Sequence, residues 1–218
     1  MDQPLAPDLV VYDLDETLTR RATFTPFLLH AARTVAPWRL PFLPIWVMAM
    51  IGHKVGLWQR TALKTFGMRL MAGRRGPAEL AQVAESFAVS RGFLPRAQRA
   101  VAEDLAAGRR VIVATAAFAF YARPIAMRLG IHEVVGTHWD GEGIPGGNCY
   151  GPVKLARVQA WLADEGLARE GLRVRVVSDS RADAPLLDWA DEGWFVNPSA
   201  RRVAEIERRG WRVVDFRR

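Results

Sequence analysis

The 218-residue chain contains few cysteines and lysines, and over one long stretch it has no acidic residues. Its single cysteine, Cys149, excludes an internal disulfide framework and a zinc site built from several thiolates. The four histidines are not spaced as metal ligands. The first seven residues lack a basic stretch followed by an apolar run, so we expect no secretory signal and a cytoplasmic location.

The missing acids concentrate the positive charge in one part of the chain. No Asp or Glu lies between Glu16 and Glu79, whereas eight arginines and two lysines do. The net charge of +7 therefore combines a +10 stretch with a remainder of 20 basic and 23 acidic residues. This distribution favours anionic partners for that stretch, such as phosphorylated substrates, an anionic membrane surface or nucleic acid.

Short apolar, β-branched runs alternate with helical patterns along most of the chain. The predicted strands are residues 9–12, 111–114, 134–135, 174–177, 194–196 and 211–214. Because a helix lies between most successive strands, we expect right-handed crossovers and a parallel sheet. The predicted fold is α/β, a Rossmann-like doubly wound parallel sheet. The glycine-rich residues 141–147 predict a hairpin turn.

The alternation stops over residues 20–92, where helical patterns recur and no strand is predicted. We expect an inserted helical cap at 20–92, with the α/β core at 1–19 and 93–218. Within the cap, residues 40–51 are uncharged but too few to span a bilayer. Burial is the favoured interpretation of this run. The alternative is contact with a membrane interface, since basic residues and no acids flank it.

Two acidic pairs follow predicted strands. Asp13 and Asp15 stand two residues apart at the end of the first strand, so their side chains point to the same side. Asp179 comes directly after the fourth strand, and Asp183 opens the following helix. If both strands are central, four carboxylates meet at one sheet edge, where their repulsion requires a cation or a shared proton. Oxygen ligands of this kind suit Mg²⁺.

Two other residues lie where an anion could be held. Thr115 ends the second strand, where a hydroxyl and the following backbone N–H groups can bind an anion. Lys154 begins a predicted helix and is one of three lysines beside 27 arginines. Its retention in such a chain indicates a need for a compact charge.

These residues together resemble the four motifs of the haloacid dehalogenase superfamily of phosphohydrolases. The motifs, in chain order, are the stretch from Asp13 to Thr17, then Thr115, then Lys154, then Asp179 with Asp183. Residues 148–154 are similar to the phosphoserine phosphatase-like subfamily, whose helical cap is inserted after the first motif.

The resemblance implies a Mg²⁺-dependent phosphatase that works through an aspartyl-phosphate. Asp13 would be the nucleophile, and Asp15 would protonate the leaving oxygen and then activate water. The Asp13 carboxylate, the Asp15 main-chain carbonyl and Asp179 would hold Mg²⁺.

The resemblance also implies a phosphate-binding set and two supporting residues. The phosphoryl oxygens would be bound by Thr115, the Ala116 N–H and Lys154. Thr17 and Asp183 would support the site, with Asp183 orienting Lys154 or a metal-bound water.

The substrate is where the chain departs from the phosphoserine phosphatases. Their substrate-binding glutamate lies seven residues after the second aspartate of the first motif, and this chain has Ala22 there. Phosphoserine should therefore be a poor substrate. The cap also resembles that of the bacterial phosphatidylglycerophosphatases of this superfamily, which favours a lipid phosphate at the inner membrane surface.

Two alternatives to a lipid phosphatase stay open. One is a soluble phosphatase of a small phosphorylated metabolite, in which the cap charge only attracts anions. The other is a vestigial hydrolase core whose basic cap binds nucleic acid or a membrane. The complete set of Asp13, Asp15, Lys154 and Asp179 disfavours the nucleic-acid alternative.

Overall fold

The structure, a computed structural model, describes residues 8–217. Residues 1–7, on which the expectation of no secretory signal depends, lie outside this range. Six parallel strands form one sheet in the order β3-β2-β1-β4-β5-β6. The strands are β1 (Leu9–Tyr12), β2 (Arg110–Phe118), β3 (Glu133–Thr137), β4 (Val174–Ser178), β5 (Glu192–Val196) and β6 (Arg212–Val214). The central position of β1 explains why its four residues are all buried and apolar.

The segment of chain that follows β1 forms a series of helices before the chain returns to the core. They are α1 (Phe24–Val35), a 3-10 helix (Pro37–Phe42), α2 (Leu43–Lys54), α3 (Arg60–Met71) and α4 (Ala81–Val89). The ends of the segment lie side by side, joined by an antiparallel bridge between Thr19 and Phe93. We propose that residues 20–92, here called the helical segment, are an inserted cap.

The other helices connect the strands and cover the sheet. They are α5 (Pro95–Ala106), α6 (Ala119–Met127), α7 (Pro152–Asp164), α8 (Ala184–Trp189) and α9 (Ala200–Arg208). The predicted α/β doubly wound fold is confirmed, and β2 extends four residues beyond its predicted end at residue 114. That extension carries the chain past Thr115 to Phe118 in strand conformation.

An aromatic cluster packs the helical segment onto the core. Phe27 of α1 stacks on Tyr121 of α6 with ring centroids 4.4 Å apart. Phe87 of α4 meets Phe27 edge to face at 5.3 Å. Aromatic pairs contribute about 0.5–1.5 kcal/mol beyond the area that they bury. The helical segment therefore shares a continuous apolar core with the sheet.

Two local predictions were wrong. The uncharged run at residues 40–51 is not a buried helix, because α2 buries only Trp46, Ala49 and Gly52. The glycine-rich residues 141–147 form an irregular loop between β3 and α7 and not a hairpin. The Asp140 side chain accepts hydrogen bonds from the N–H groups of Glu142 and Gly143, which turns the chain locally without a partner strand.

None of the helices within residues 8–217 combines the length and the apolar character that crossing a bilayer requires.

Candidate active site

The strand order brings the carboxyl ends of β1, β2 and β4 together at the centre of the sheet. A cavity of about 200 Å³ opens there. Its walls include all the predicted site residues except Thr17, namely Asp13, Asp15, Thr115, Ala116, Lys154, Asp179 and Asp183. The size admits a phosphoryl group and a small part of its ester.

Lys154 is the buried cation at the floor of this cavity. It enters from the first turn of α7, and its Nζ donates to Asp13 Oδ1 at 2.8 Å and to Asp183 Oδ2 at 2.7 Å. Burial alone would lower the pKa of Lys154, but the two carboxylates outweigh that effect and raise it. Lys154 therefore stays charged, and its charge opposes the rise that burial imposes on the pKa of Asp13.

Asp15 lies on the other side of the cavity, toward the helical segment. Its Oδ1 accepts a hydrogen bond of 2.8 Å from the backbone N–H of Thr23. Burial raises the pKa of Asp15, with hydrogen bonds from Thr23 opposing the rise. When the pKa of a carboxyl group is raised and one of its oxygens accepts a backbone hydrogen bond, the other oxygen can carry a proton, as a general acid must.

Asp179 is fixed by Thr17 through a reciprocal pair of hydrogen bonds. The Thr17 hydroxyl donates to Asp179 Oδ1 and accepts from the Asp179 backbone N–H, each at 3.0 Å. Burial raises the pKa of Asp179 to about 6, and the hydrogen bond from Thr17 opposes that rise. Thr17 is fully buried and is not part of the cavity wall.

The donor set fits Mg²⁺. Within residues 8–217 no three Asp, Glu, His or Cys side chains converge on a common point. A cation here would bind two carboxylates, Asp13 and Asp179, with main-chain oxygen and water completing the shell. Mg²⁺ is commonly held in this way, since it keeps several waters. Burial also raises the pKa of both carboxylates, so a cation between them would stabilise their charged forms.

Thr115 and Ala116 lie at the cavity wall beyond the point where β2 leaves its pairing with β3. The Thr115 hydroxyl accepts a hydrogen bond of 3.0 Å from the Ala117 N–H. Among the described residues no hydrogen bond uses the Thr115 O–H as a donor, so it is available to a bound anion. This arrangement suits the phosphate-binding role that the resemblance implies.

The sequence reasoning missed Lys64 of α3. This lysine is buried, and its Nζ donates to the Ala116 carbonyl and, at 2.9 Å, to Asn148 Oδ1. Burial lowers the pKa of Lys64 to about 8, and the negative charge of Asp15 opposes the fall. The rarity of lysine, which drew attention to Lys154, applies equally to Lys64.

Arg60 and Tyr150 also line the cavity without having been predicted as site residues. The Arg60 guanidinium lies over the Tyr150 ring, 4.1 Å from its centroid. Arg60 is exposed at the cavity mouth, which gives the entrance a positive charge. Ala22 lines the same cavity and offers no charge to a substrate.

The family model for haloacid dehalogenase-like hydrolases matches residues 10–188. The chain belongs to this family. Curated relatives of this haloacid dehalogenase-like hydrolase include a histidinol-phosphatase of Neisseria meningitidis, 30% identical over 119 residues, or 51% of this chain and 54% of that protein. A phosphoserine phosphatase of Mycobacterium tuberculosis is 33% identical over 117 residues, or 52% of this chain and 38% of that protein. The chain thus spans about half or less of the length of these relatives.

Solved structures resemble this hydrolase over nearly the whole chain. A Bordetella pertussis protein of unknown function is 28% identical, with a TM-score of 0.82 over 95% of this chain and 98% of that one. A substrate-bound phosphoserine phosphatase gives a TM-score of 0.60 at 14% identity, over 97% of this chain and 94% of that one. At that identity the second likeness concerns the fold alone.

Proposed function

We propose that the chain is a Mg²⁺-dependent phosphomonoesterase that works through an aspartyl-phosphate on Asp13. One observation supports this proposal above all: Lys154 forms salt bridges with both Asp13 and Asp183. The cavity that contains them is also lined by Asp15, Thr115 and Asp179. Burial raises the pKa of Asp13, and the charge of Lys154 opposes that rise and so favours the ionised nucleophile. Thr115, the Ala116 N–H and Lys154 bind the phosphoryl oxygens. The roles of all these residues belong to the proposal.

The reaction follows from the two carboxylates of the first motif. An Asp13 oxygen attacks phosphorus while Asp15 gives its proton to the leaving alcohol oxygen. Asp15 then takes a proton from water, and the resulting nucleophile attacks the same phosphorus, releasing phosphate and free Asp13. Asp13, the Asp15 carbonyl and Asp179 would hold Mg²⁺, which would neutralise charge on the phosphoryl oxygens.

A lipid phosphate, such as phosphatidylglycerophosphate, is the substrate class that we favour. Nine of the twelve large hydrophobic side chains exposed within residues 8–217 lie between residues 38 and 58. They define an apolar face, made of Trp38, Phe42, Ile45, Val47, Met48, Ile51, Val55, Leu57 and Trp58. Apolar patches of this kind mark interaction sites. No Asp or Glu lies between Glu16 and Glu79, the stretch of chain that contains this face, and this favours an anionic lipid surface as its partner.

The second candidate is phosphatase activity on a small phosphorylated metabolite. The cavity of about 200 Å³ favours it, because a small ester would fill that volume. In this case the cationic helical segment only attracts the anion. Binding of nucleic acid by a vestigial core is less favoured, because the acidic pairs and Lys154 are all present in the cavity.

A substrate panel tests the substrate class. With Mg²⁺ we expect phosphatidylglycerophosphate in mixed micelles to have the highest kcat/KM, above histidinol phosphate and p-nitrophenyl phosphate. Phosphoserine should be about 100-fold below the best substrate, because Ala22 stands where the phosphoserine phosphatases that this chain resembles have their substrate-binding glutamate. EDTA should abolish all turnover. Equal rates for phosphoserine and the lipid would contradict this substrate assignment.

Vesicle binding tests the apolar face. We expect co-sedimentation with vesicles rich in phosphatidylglycerol, weakening as salt screens the attraction. The double substitution of Met48→Glu with Ile51→Glu should reduce vesicle affinity at least about 10-fold, because both side chains are exposed on α2. Val89→Glu is the matched control, since Val89 is 75% exposed on α4, outside this face. Equal weakening by the control, or no binding at low salt, counts against membrane contact.

A further inference from the structure

Lys64 is a buried cation that has no place in the reaction described above. It belongs to α3 of the helical segment, yet its Nζ donates to the carbonyl of Ala116 in the core and to Asn148 Oδ1. The rings of Phe24 and Phe118 lie 5.4 and 5.2 Å from the same Nζ. Burying an ammonium group costs several kcal/mol unless its partners compensate.

The partner of Lys64 leads directly to the phosphate-binding hydroxyl. The Ala116 carbonyl and the Ala117 N–H belong to one peptide unit, and that N–H donates to Thr115 Oγ1 at 3.0 Å. Lys64 and the Thr115 hydroxyl therefore lie at opposite ends of a single amide. A cation on the carbonyl makes the N–H a stronger donor, and a strong donor on Oγ1 makes the Thr115 O–H more acidic in turn.

The other contacts of this peptide hold it in one orientation. Thr137 Oγ1 of β3 lies 2.7 Å from the Ala116 carbonyl and 2.9 Å from Asn148 Oδ1. The N–H of Cys149 donates to the same Thr137 hydroxyl at 3.0 Å. Lys64 thus completes a buried network that joins the helical segment, the end of β2 and the loop before α7.

We propose that Lys64 is a positioning residue, which fixes the Ala116–Ala117 peptide and so aims and strengthens the Thr115 O–H toward the phosphoryl group. Lys64 is not part of the cavity wall, and its contact with this amide is its route to the Thr115 hydroxyl. Its charge also opposes the rise in the pKa of Asp15. The proposal rests on the proposed function, since Thr115 has a phosphoryl oxygen to bind only if the cavity takes a phosphate ester. It also makes the phosphate-binding hydroxyl depend on the packing of the helical segment against the core.

The link from Lys64 through the Ala116–Ala117 peptide to the Thr115 hydroxyl is here called the relay. A double-mutant cycle between Lys64 and Thr115 tests it. With p-nitrophenyl phosphate and saturating Mg²⁺, Lys64→Met should lower kcat about 30-fold and Thr115→Val about 100-fold. In the Thr115→Val background, Lys64→Met should cost less than about 3-fold, because the hydroxyl it acts on is gone. In the Thr115→Ser background, which keeps the hydroxyl, the full loss should return.

Further variants separate positioning from a structural role. Lys64→Arg, which keeps the charge and the donors, should recover most of the kcat lost in Lys64→Met, while KM changes less than about 3-fold in both. Lys54→Met is the matched control, because Lys54 is exposed and outside the cavity. Circular dichroism and thermal unfolding verify each fold, and Lys64→Gln replaces Lys64→Met if the latter does not fold.

Each outcome decides for or against the relay. An equal loss from Lys64→Met in the wild-type and Thr115→Val backgrounds would overturn it, as would a Lys64→Arg variant as slow as Lys64→Met. In either case an active wild type leaves the proposed phosphatase function intact. A wild type that hydrolyses no phosphomonoester in the panel overturns both proposals together.

Discussion

Asp13→Asn should lower phosphomonoester turnover by at least about 10⁴-fold and leave the fold in place. The amide removes the negative oxygen that attacks phosphorus but keeps the shape of the side chain. Lys154 retains its bond of 2.7 Å to Asp183, so the substitution leaves no buried cation without a carboxylate. Steady-state turnover in Mg²⁺, together with circular dichroism, measures both parts of the expectation.

The matched control for this variant is Asp164→Asn. Asp164 is exposed at the end of α7, and the same chemical change there should leave kcat within about 2-fold of wild type. In addition, intact-protein mass spectrometry of acid-quenched wild type should detect a phosphoryl adduct that Asp13→Asn lacks. An Asp13→Asn enzyme with near-wild-type turnover would exclude the aspartyl-phosphate mechanism.

The sheet was predictable because its central strands, β1 and β4, are largely buried on both faces. Strand β1 is a continuous apolar run, β4 is apolar except for Arg175 and Ser178, and helices with clear stop signals separate most of the others. The extension of β2 past residue 114 was not predictable, because residues 115–118 pair irregularly with β3. Local sequence does not specify such a register shift, which depends on the neighbouring strand.

The positions of the candidate site residues could be predicted where these residues lie at or near strand ends, but not where they belong to the helical segment. Asp13 and Asp179 each follow a strand directly, and Thr115 lies three residues before the end of β2, so topology brings them to one sheet edge. Lys64 and Arg60 lie on a helix of the helical segment, whose packing angle onto the core has no signature in the local sequence. Only the scarcity of lysine marked Lys64.

The uncharged run at residues 40–51 shows where hydrophobicity by itself misleads. Apolar composition favours burial, but α2 carries apolar residues on all sides and has neighbours on one side only. Small residues, Ala49 and Gly52, occupy the buried side beside Trp46, and larger ones such as Met48 and Ile51 point outward. A helix with this distribution needs a second apolar surface, which is the reason for the vesicle experiment.

Lys154→Met is the other change with a large expected effect, and it acts on stability as well as on activity. Lys154 is 2% exposed and is the partner of both Asp13 and Asp183. Its removal leaves two buried carboxylates without their cation, which typically costs about 3–5 kcal/mol of unfolding free energy. Turnover should fall at least about 10³-fold, because the positive charge of Lys154 that would bind the phosphoryl oxygens is also lost.

Asp183→Asn in the Lys154→Met background separates these two losses. Removing the Asp183 charge relieves the repulsion with Asp13, so urea unfolding in EDTA should recover about 1–2 kcal/mol. Turnover in Mg²⁺ should stay as low as in the single variant, since the cation at the phosphoryl group is still missing. Lys54→Met, the same change at an exposed position, should alter neither quantity. If the double variant regains activity together with stability, Lys154 serves the fold and not the phosphoryl group.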